Sequence, residues 1–179
     1  MGVPVEQKPV KLIASIIFKD EGDLYQAERR LRTLFGPFES LEKSAPFGYT
    51  DYYREEMGHP LKRKLICFKN LIDPEKMYKV KLRTNRIEYK ISADRKRKVN
   101  IDPGYVTEAK LVLLTTKDYT HRIYIRGRIF AETTLSYQDG GFKPWPWTYP
   151  DYASKELRDY FEKVREIYIN DIKGISDNA

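Results

Sequence analysis

Cysteine is all but missing: Cys67 stands alone among 179 residues, so no internal disulfide can close and no cysteine-rich zinc site can assemble. A lone thiol also fits a reducing compartment. Histidine is nearly as scarce, with only His59 and His121, and two imidazoles with one thiol fall short of a structural zinc set. No stretch approaches the ~18–20 apolar residues of a membrane span. The longest run, Leu12-Ile13-Ala14-Ser15-Ile16-Ile17-Phe18, is cut off by Lys19-Asp20-Glu21. It lacks a small-residue cleavage site, so it reads as a strand rather than a signal peptide. A soluble, cytoplasmic chain with no membrane partner is expected. The motifs G-x-x-x-x-G-K-S/T, G-x-G-x-x-G and G-x-S-x-G are also lacking, which argues against a P-loop NTPase, a Rossmann dehydrogenase and an α/β-hydrolase. Thr116-Lys117-Asp118 is a poor match to the N-K-x-D of guanine recognition.

What is present is apolar enough to build a core. The chain is 41% hydrophobic and 13% aromatic, with 14 tyrosines against 8 Phe and 2 Trp. Lys and Arg number 33 against 26 Asp and Glu, a net charge of +7, which favours anionic partners such as nucleotides, nucleic acid or acidic surfaces.

Residues 9–18 are apolar on both alternations, which predicts a central strand covered on both faces, or covered on one and partly covered on the other. Asp23, with Gln26 three residues on, predicts a capped helix bearing Leu24, Ala27, Leu31, Leu34 and Phe35 and stopped by Gly36-Pro37. Segments 48–57 and 61–71 read as extended and joined by a turn at Gly58-His59-Pro60. Between the helix and this hairpin, 38–47 reads as irregular or a weak strand. Asp73-Pro74-Glu75 starts a helix running to about Ile91, its buried stripe Met77, Val80, Thr84, Ile87 and Ile91. A short strand at 99–101 is expected to end in a type II turn at Asp102-Pro103-Gly104-Tyr105. Residues 109–116 form another strand, and 121–137 a long one that Gly127 bends or bulges. Asp139-Gly140-Gly141 turns the chain back, and the Pro144–Pro150 connector cannot be helical. Ser154 or Asp151 then caps a last helix with Leu157, Phe161, Val164, Tyr168 and Ile172 inward. This order predicts an α+β fold with a ferredoxin-like β-α-β-β-α-β core, mostly antiparallel, extended by further strands and a C-terminal helix. One domain is expected over 1–179, with its core at about 8–172 and short flexible termini.

Positive charge is concentrated between Lys76 and Lys98, where ten bases face only Glu88 and Asp94. Lys76, Lys79, Arg83, Arg86 and Lys90 recur at steps of three and four and share one helix stripe beside the buried one. They form either a solvated face or an anion-binding ridge continued by Arg95-Lys96-Arg97-Lys98. Along 121–137, Arg122, Tyr124, Arg126, Arg128, Phe130, Glu132 and Thr134 alternate with an apolar set. Arginines interleaved with aromatics suit a platform that stacks bases and contacts phosphates. The same residues also make an ordinary exposed face, with Glu132 paired to an arginine. His121, beside Arg122 and near Lys117 and Asp118, is the candidate general base or phosphate ligand. The spacing of Asp51, Glu55, Glu56, Asp102 and Glu132 supports no metal site.

Four segments occur together: Phe47-Gly48-Tyr49-Thr50-Asp51-Tyr52-Tyr53 with Glu56-Met57-Gly58; Asn100-Ile101-Asp102-Pro103-Gly104-Tyr105; Lys117 with His121-Arg122-Ile123-Tyr124; and Trp147-Thr148-Tyr149-Pro150-Asp151-Tyr152. Jointly they resemble the domain-of-unknown-function family 4416 over about residues 8–172. The resemblance implies a small prokaryotic protein. It nominates Asp51, Tyr52, Tyr53, Glu56, Asp102, Lys117, His121, Arg122 and Asp151 as polar signature positions, expected to converge on one cleft. The alternative is that they are turn and packing residues.

Two functional readings follow. In the first, a basic and aromatic surface holds a nucleotide, RNA or another phosphate-bearing ligand. Lys117, Arg122, Arg126, Arg128, Arg83 and Arg86 bind the anion, and Tyr52, Tyr53, Tyr124 and Asp51 line the pocket. In the second, a small enzyme acts on a phosphorylated or carboxylated metabolite. Lys117 and Arg122 hold the substrate, His121 moves the proton, and Asp102 or Glu56 orients it or binds metal. No motif assigns a cofactor, and none bears on oligomeric state.

Overall fold

All nine residues of Val10–Phe18 are buried. This strand, β1, is the middle of the molecule in the computed structural model, which describes residues 2–41 and 44–176. The elements that follow are α1 (Glu21–Phe35), β2 (Phe38–Leu41), β3 (Ala45–Phe47), α2 (Arg54–Met57), β4 (Leu61–Ile72), α3 (Met77–Ile91), β5 (Val99–Val106), β6 (Lys110–Thr115), β7 (Ile123–Arg126), β8 (Ile129–Gln138), β9 (Gly141–Pro144) and α4 (Lys155–Ser176). The strands make one nine-stranded sheet in the order β2-β4-β1-β5-β6-β8-β7, with β3 on β4 and β9 on β8. Every pairing is antiparallel. The first six core elements give the spatial order β2-β4-β1-β5, the ferredoxin-like arrangement.

The two sides of β1 explain its unbroken apolar run. Leu12, Ala14, Ile16 and Phe18 point into a cluster with Leu24, Ala27 and Leu31 of α1 and Met77, Val80 and Ile87 of α3. Ile13, on the opposite alternation, joins Leu65, Cys67, Leu113, Leu135 and the Phe161 and Val164 of α4. The sheet is thus covered by α1 and α3 on one face and by α4 on the other. At ~1.5–3 kcal/mol per fully buried large apolar side chain, these two clusters supply the main drive for folding.

Several local expectations are corrected. Asp20, not Asp23, caps α1, its carboxylate accepting from the Gly22 N–H at 2.7 Å. Residues 48–57 are not extended: they form a loop and the short α2, while 38–47 holds the two strands β2 and β3. Residues 42 and 43 of that stretch, like Met1 and 177–179 at the termini, lie outside the described residues. Asp73 does start a helix, through a 3-10 turn at Pro74–Lys76. Ser154, not Asp151, caps the last helix, accepting from the Leu157 N–H. The long strand from His121 is instead a hairpin, β7 and β8, closed by Gly127 and Arg128, both at positive φ of 60° and 64°. Both central residues left-handed is the requirement of a tight two-residue hairpin turn.

The Pro-Gly pair is the correction with the largest consequence. Asp102-Pro103-Gly104-Tyr105 lies inside β5 rather than in a turn. β5 pairs along its whole length with β1 but meets β6 only at Gly104, Tyr105 and Val106. Proline has no N–H to donate, so the ladder to β6 cannot continue at Pro103. Two residues earlier on the same edge, the N–H of Ile101 goes to Glu88 and its carbonyl accepts from Lys81 Nζ at 2.9 Å. β5 and β6 therefore part at this end, and buried charges from α3 fill the gap beneath.

Candidate functional site

The parting of β5 and β6 opens on the α4 face, where a cavity of about 410 Å³ lies ahead of α4. Its floor comes from neighbouring strands: Ile17 of β1, Arg63 directly across on β4, Asp102 of β5 and Leu113 to Thr115 of β6. Three loops close over it. The loop after β3 brings Tyr49, Tyr52 and Tyr53; the β6–β7 loop brings Lys117, Tyr119 and Arg122; the connector before α4 brings Tyr149, Asp151 and Tyr152. Six of the nine signature positions therefore line one cavity: Tyr52, Tyr53, Asp102, Lys117, Arg122 and Asp151.

Three cations and three acids line it, and most are paired. Arg63 binds Asp151. Its guanidinium also stacks over the Phe47 and Tyr152 rings, at 4.5 and 5.1 Å from their centroids. Arg122 Nε donates to Glu132 Oε2 at 2.6 Å, and its other nitrogens to the Tyr149 hydroxyl and the Lys117 carbonyl, both at 3.2 Å. Asp102 takes a 2.9 Å ion pair from Lys81, which reaches up between β5 and β6. Burial works to raise the Asp102 carboxyl, but Lys81 and Asn100 outweigh it and hold the group below its ordinary range. Lys117 differs from the other two lining cations. It makes no ion pair among the described residues, and its Nζ stands 3.9 Å from the centre of the Tyr52 ring. The same contact draws the Tyr52 phenol below its usual pKa, whereas burial pushes that of Tyr53 up.

The remaining signature residues act at a remove or not at all. Glu56 does not line the cavity; it clamps Arg97, accepting from Nε at 2.8 Å and Nη2 at 2.6 Å. Arg97 in turn donates to Asn100, and Asn100 to Asp102 Oδ2 at 2.8 Å. Glu56 thus ends a hydrogen-bonded chain that orients Asp102. His121 stands behind Glu132, donating to Oε2 at 3.1 Å, its ring stacked 5.5 Å from Trp147 and 6.2 Å from Tyr119. Asp51 is exposed, 3.8 Å from Arg54 of its own turn.

The other nominated residues lie elsewhere. Arg126 is over the Tyr78 ring, Arg128 is in the hairpin turn, and Tyr124 meets Phe130 edge to face, all away from the cavity. The alternating Arg–aromatic platform does not form, because Arg122 turns inward to Glu132 and the chain reverses at Gly127. Arg83 and Arg86 are on α3, across the sheet. The residues that sequence reasoning passes over are Arg63 and Lys81, while Arg97, expected in an anion-binding ridge, and Asn100 of the second segment serve instead in the chain that orients Asp102. Lys81 is disguised by the run of solvated bases around it, and Arg63 by the Lys-Arg-Lys alternation of β4. Among the described residues no group of three His, Cys, Asp or Glu is placed to hold a metal, and no helix is long and apolar enough to cross a membrane.

Comparison with curated proteins gives no match, and comparison with solved structures gives none. The family described as Domain of unknown function (DUF4416) matches residues 8–168, a span that contains every residue lining the cavity, and the chain belongs to that family.

Proposed function

We propose that the chain binds a small phosphate-bearing ligand of the nucleotide class in this cavity. The observation that carries the reading is Lys117, a lining cation left without a carboxylate among the described residues, in a cavity whose other charges are matched in pairs. A volume of about 410 Å³ falls in the range of small-molecule sites, roughly 300–1,000 Å³. Tyrosine faces suit a base or sugar, their hydroxyls suit polar edges, and an ammonium beside them suits a phosphate. A thermal-shift series with nucleoside mono- and diphosphates, sugar phosphates and inorganic phosphate tests it. A ligand at ~100 times its Kd adds about 2.7 kcal/mol, or a rise of about 5–10 °C for a chain of this size. Lys117→Ala should remove most of that rise. If no phosphorylated compound shifts the transition, the reading fails.

A second reading, a small enzyme acting on a phosphorylated or carboxylated metabolite, has one observation in its favour. Lys117 lowers the Tyr52 phenol, so a group able to move a proton stands beside the cation that would hold the substrate. His121 suits that role less well, since Glu132 lies between it and the cavity. Under this reading Tyr52→Phe abolishes conversion of the bound compound, followed by product formation, while its Kd changes less than about threefold.

A further inference from the structure

On the opposite face of the sheet, α1 and α3 pack side by side and leave a groove of about 460 Å³ between them. It is lined by Arg29 and Arg30 of α1 and by Arg83, Arg86 and Lys90 of α3. No acid lines it, and none of the five bases makes an ion pair among the described residues. Bases elsewhere do find acids, as Lys62 finds Glu21, Lys64 Glu28, Lys81 Asp102 and Arg97 Glu56. Five unmatched like charges brought together concentrate positive potential along the groove and draw anions to it.

We propose that this groove holds a single strand of RNA by its phosphates, independently of the cavity. Three features favour a nucleic-acid strand. Four of the five bases are arginines, whose planar forks match phosphate oxygens in pairs. Arg83, Arg86 and Lys90 rise along α3 by ~4.5 and ~6 Å steps, so the row runs along the groove as a backbone would. Each cationic row is flanked on its own helix by an exposed tyrosine. Tyr25 lies one turn before Arg29 and is 64% exposed; Tyr89 lies three residues after Arg86 and is 81% exposed. Neither ring is part of the groove's lining, but exposed aromatic faces on the helices that carry a cationic channel offer the bases of a strand held there a place to stack. A lipid surface would ask for apolar side chains to insert, and Leu34 is the one exposed apolar residue of the lining.

The test is fluorescence anisotropy with a labelled ten-nucleotide oligouridine at 50 and 200 mM salt. If five phosphates are engaged, log K falls with log salt at a slope of about −3.5, a loss of roughly 100-fold over that range. Arg83→Ala with Arg86→Ala should weaken binding and reduce the slope to about −2. Both side chains are exposed, so circular dichroism should stay unchanged. Lys117→Ala should bind the oligonucleotide as the unaltered chain does, whatever its effect on small ligands. The proposal is overturned by absence of binding at 50 mM salt, or by a double variant that keeps the full slope. Equal competition by polyglutamate or by vesicles of anionic lipid would overturn it too, as would loss of oligonucleotide binding in Lys117→Ala alone, which would assign the strand to the cavity.

Discussion

Glu88 shows how a single side chain is set by its surroundings. It faces inward from α3, where its carboxylate accepts the Ile101 N–H that β6 leaves unpaired. Burial pushes its carboxyl up to about 7, against the pull of Lys81 and Arg97 and with a small push from Asp102. A raised folded-state pKa means the folded chain keeps a proton that the unfolded chain releases near 4.5. The resulting stability is complete below about pH 4.5 and is lost as pH climbs through 7. Glu88→Gln keeps an acceptor for Ile101 and never ionises. Relative to the unaltered chain it should gain about 3 kcal/mol between pH 4.5 and pH 8, read from urea unfolding at both. A difference that does not change with pH would show that Lys81 keeps Glu88 ionised. Residues of this kind were hidden in the sequence. Glu88 and Lys81 sit in a run that reads as a solvated charged face, and only the missing β5–β6 ladder creates a place for them inside.

At the scale of the element, Gly104 carries the clearest expectation. It needs no left-handed backbone; it is there because β5 and β6 approach too closely for a side chain. A Cβ would lie 2.4 Å from the Val112 carbonyl oxygen and 2.8 Å from Leu113. Gly104→Ala should therefore push the two strands apart and lower stability by about 1–3 kcal/mol. Differential scanning calorimetry would register this as a fall of several degrees in Tm, and an unchanged transition would show that the strands yield freely. Local signals that agreed with their surroundings were legible in advance. The unbroken apolar run of β1, the Asp-Pro start ahead of α3 and the inward stripe of α4 all appear where their patterns place them. Signals that packing overrules were not. Pro103-Gly104 has turn chemistry, yet β1 holds both residues in register, and the Gly127-Arg128 reversal interrupts a strand without interrupting its alternation.

Over the whole molecule, the convergence of the loops after β3, after β6 and before α4 was legible only as a set of polar positions from distant stretches. Their pairing into Arg63–Asp151, Arg122–Glu132 and Lys81–Asp102 depends on strand register, which the alternation of residue types leaves undetermined. The expected single positive surface is accordingly divided into a cavity matched in charge apart from Lys117 on one face and an unmatched cationic groove on the other. Because β1 feeds both apolar clusters, the two layers should unfold together, with helix content and tryptophan emission changing at one denaturant midpoint. Cys67 lies wholly inside the cluster under α4, its thiol pushed up to about 12 by burial. Iodoacetamide can react with it only when that helix lifts away, so the rate of alkylation is a clock for the rarest excursions of the α4 layer, wound by nature into the one sulfhydryl the chain possesses.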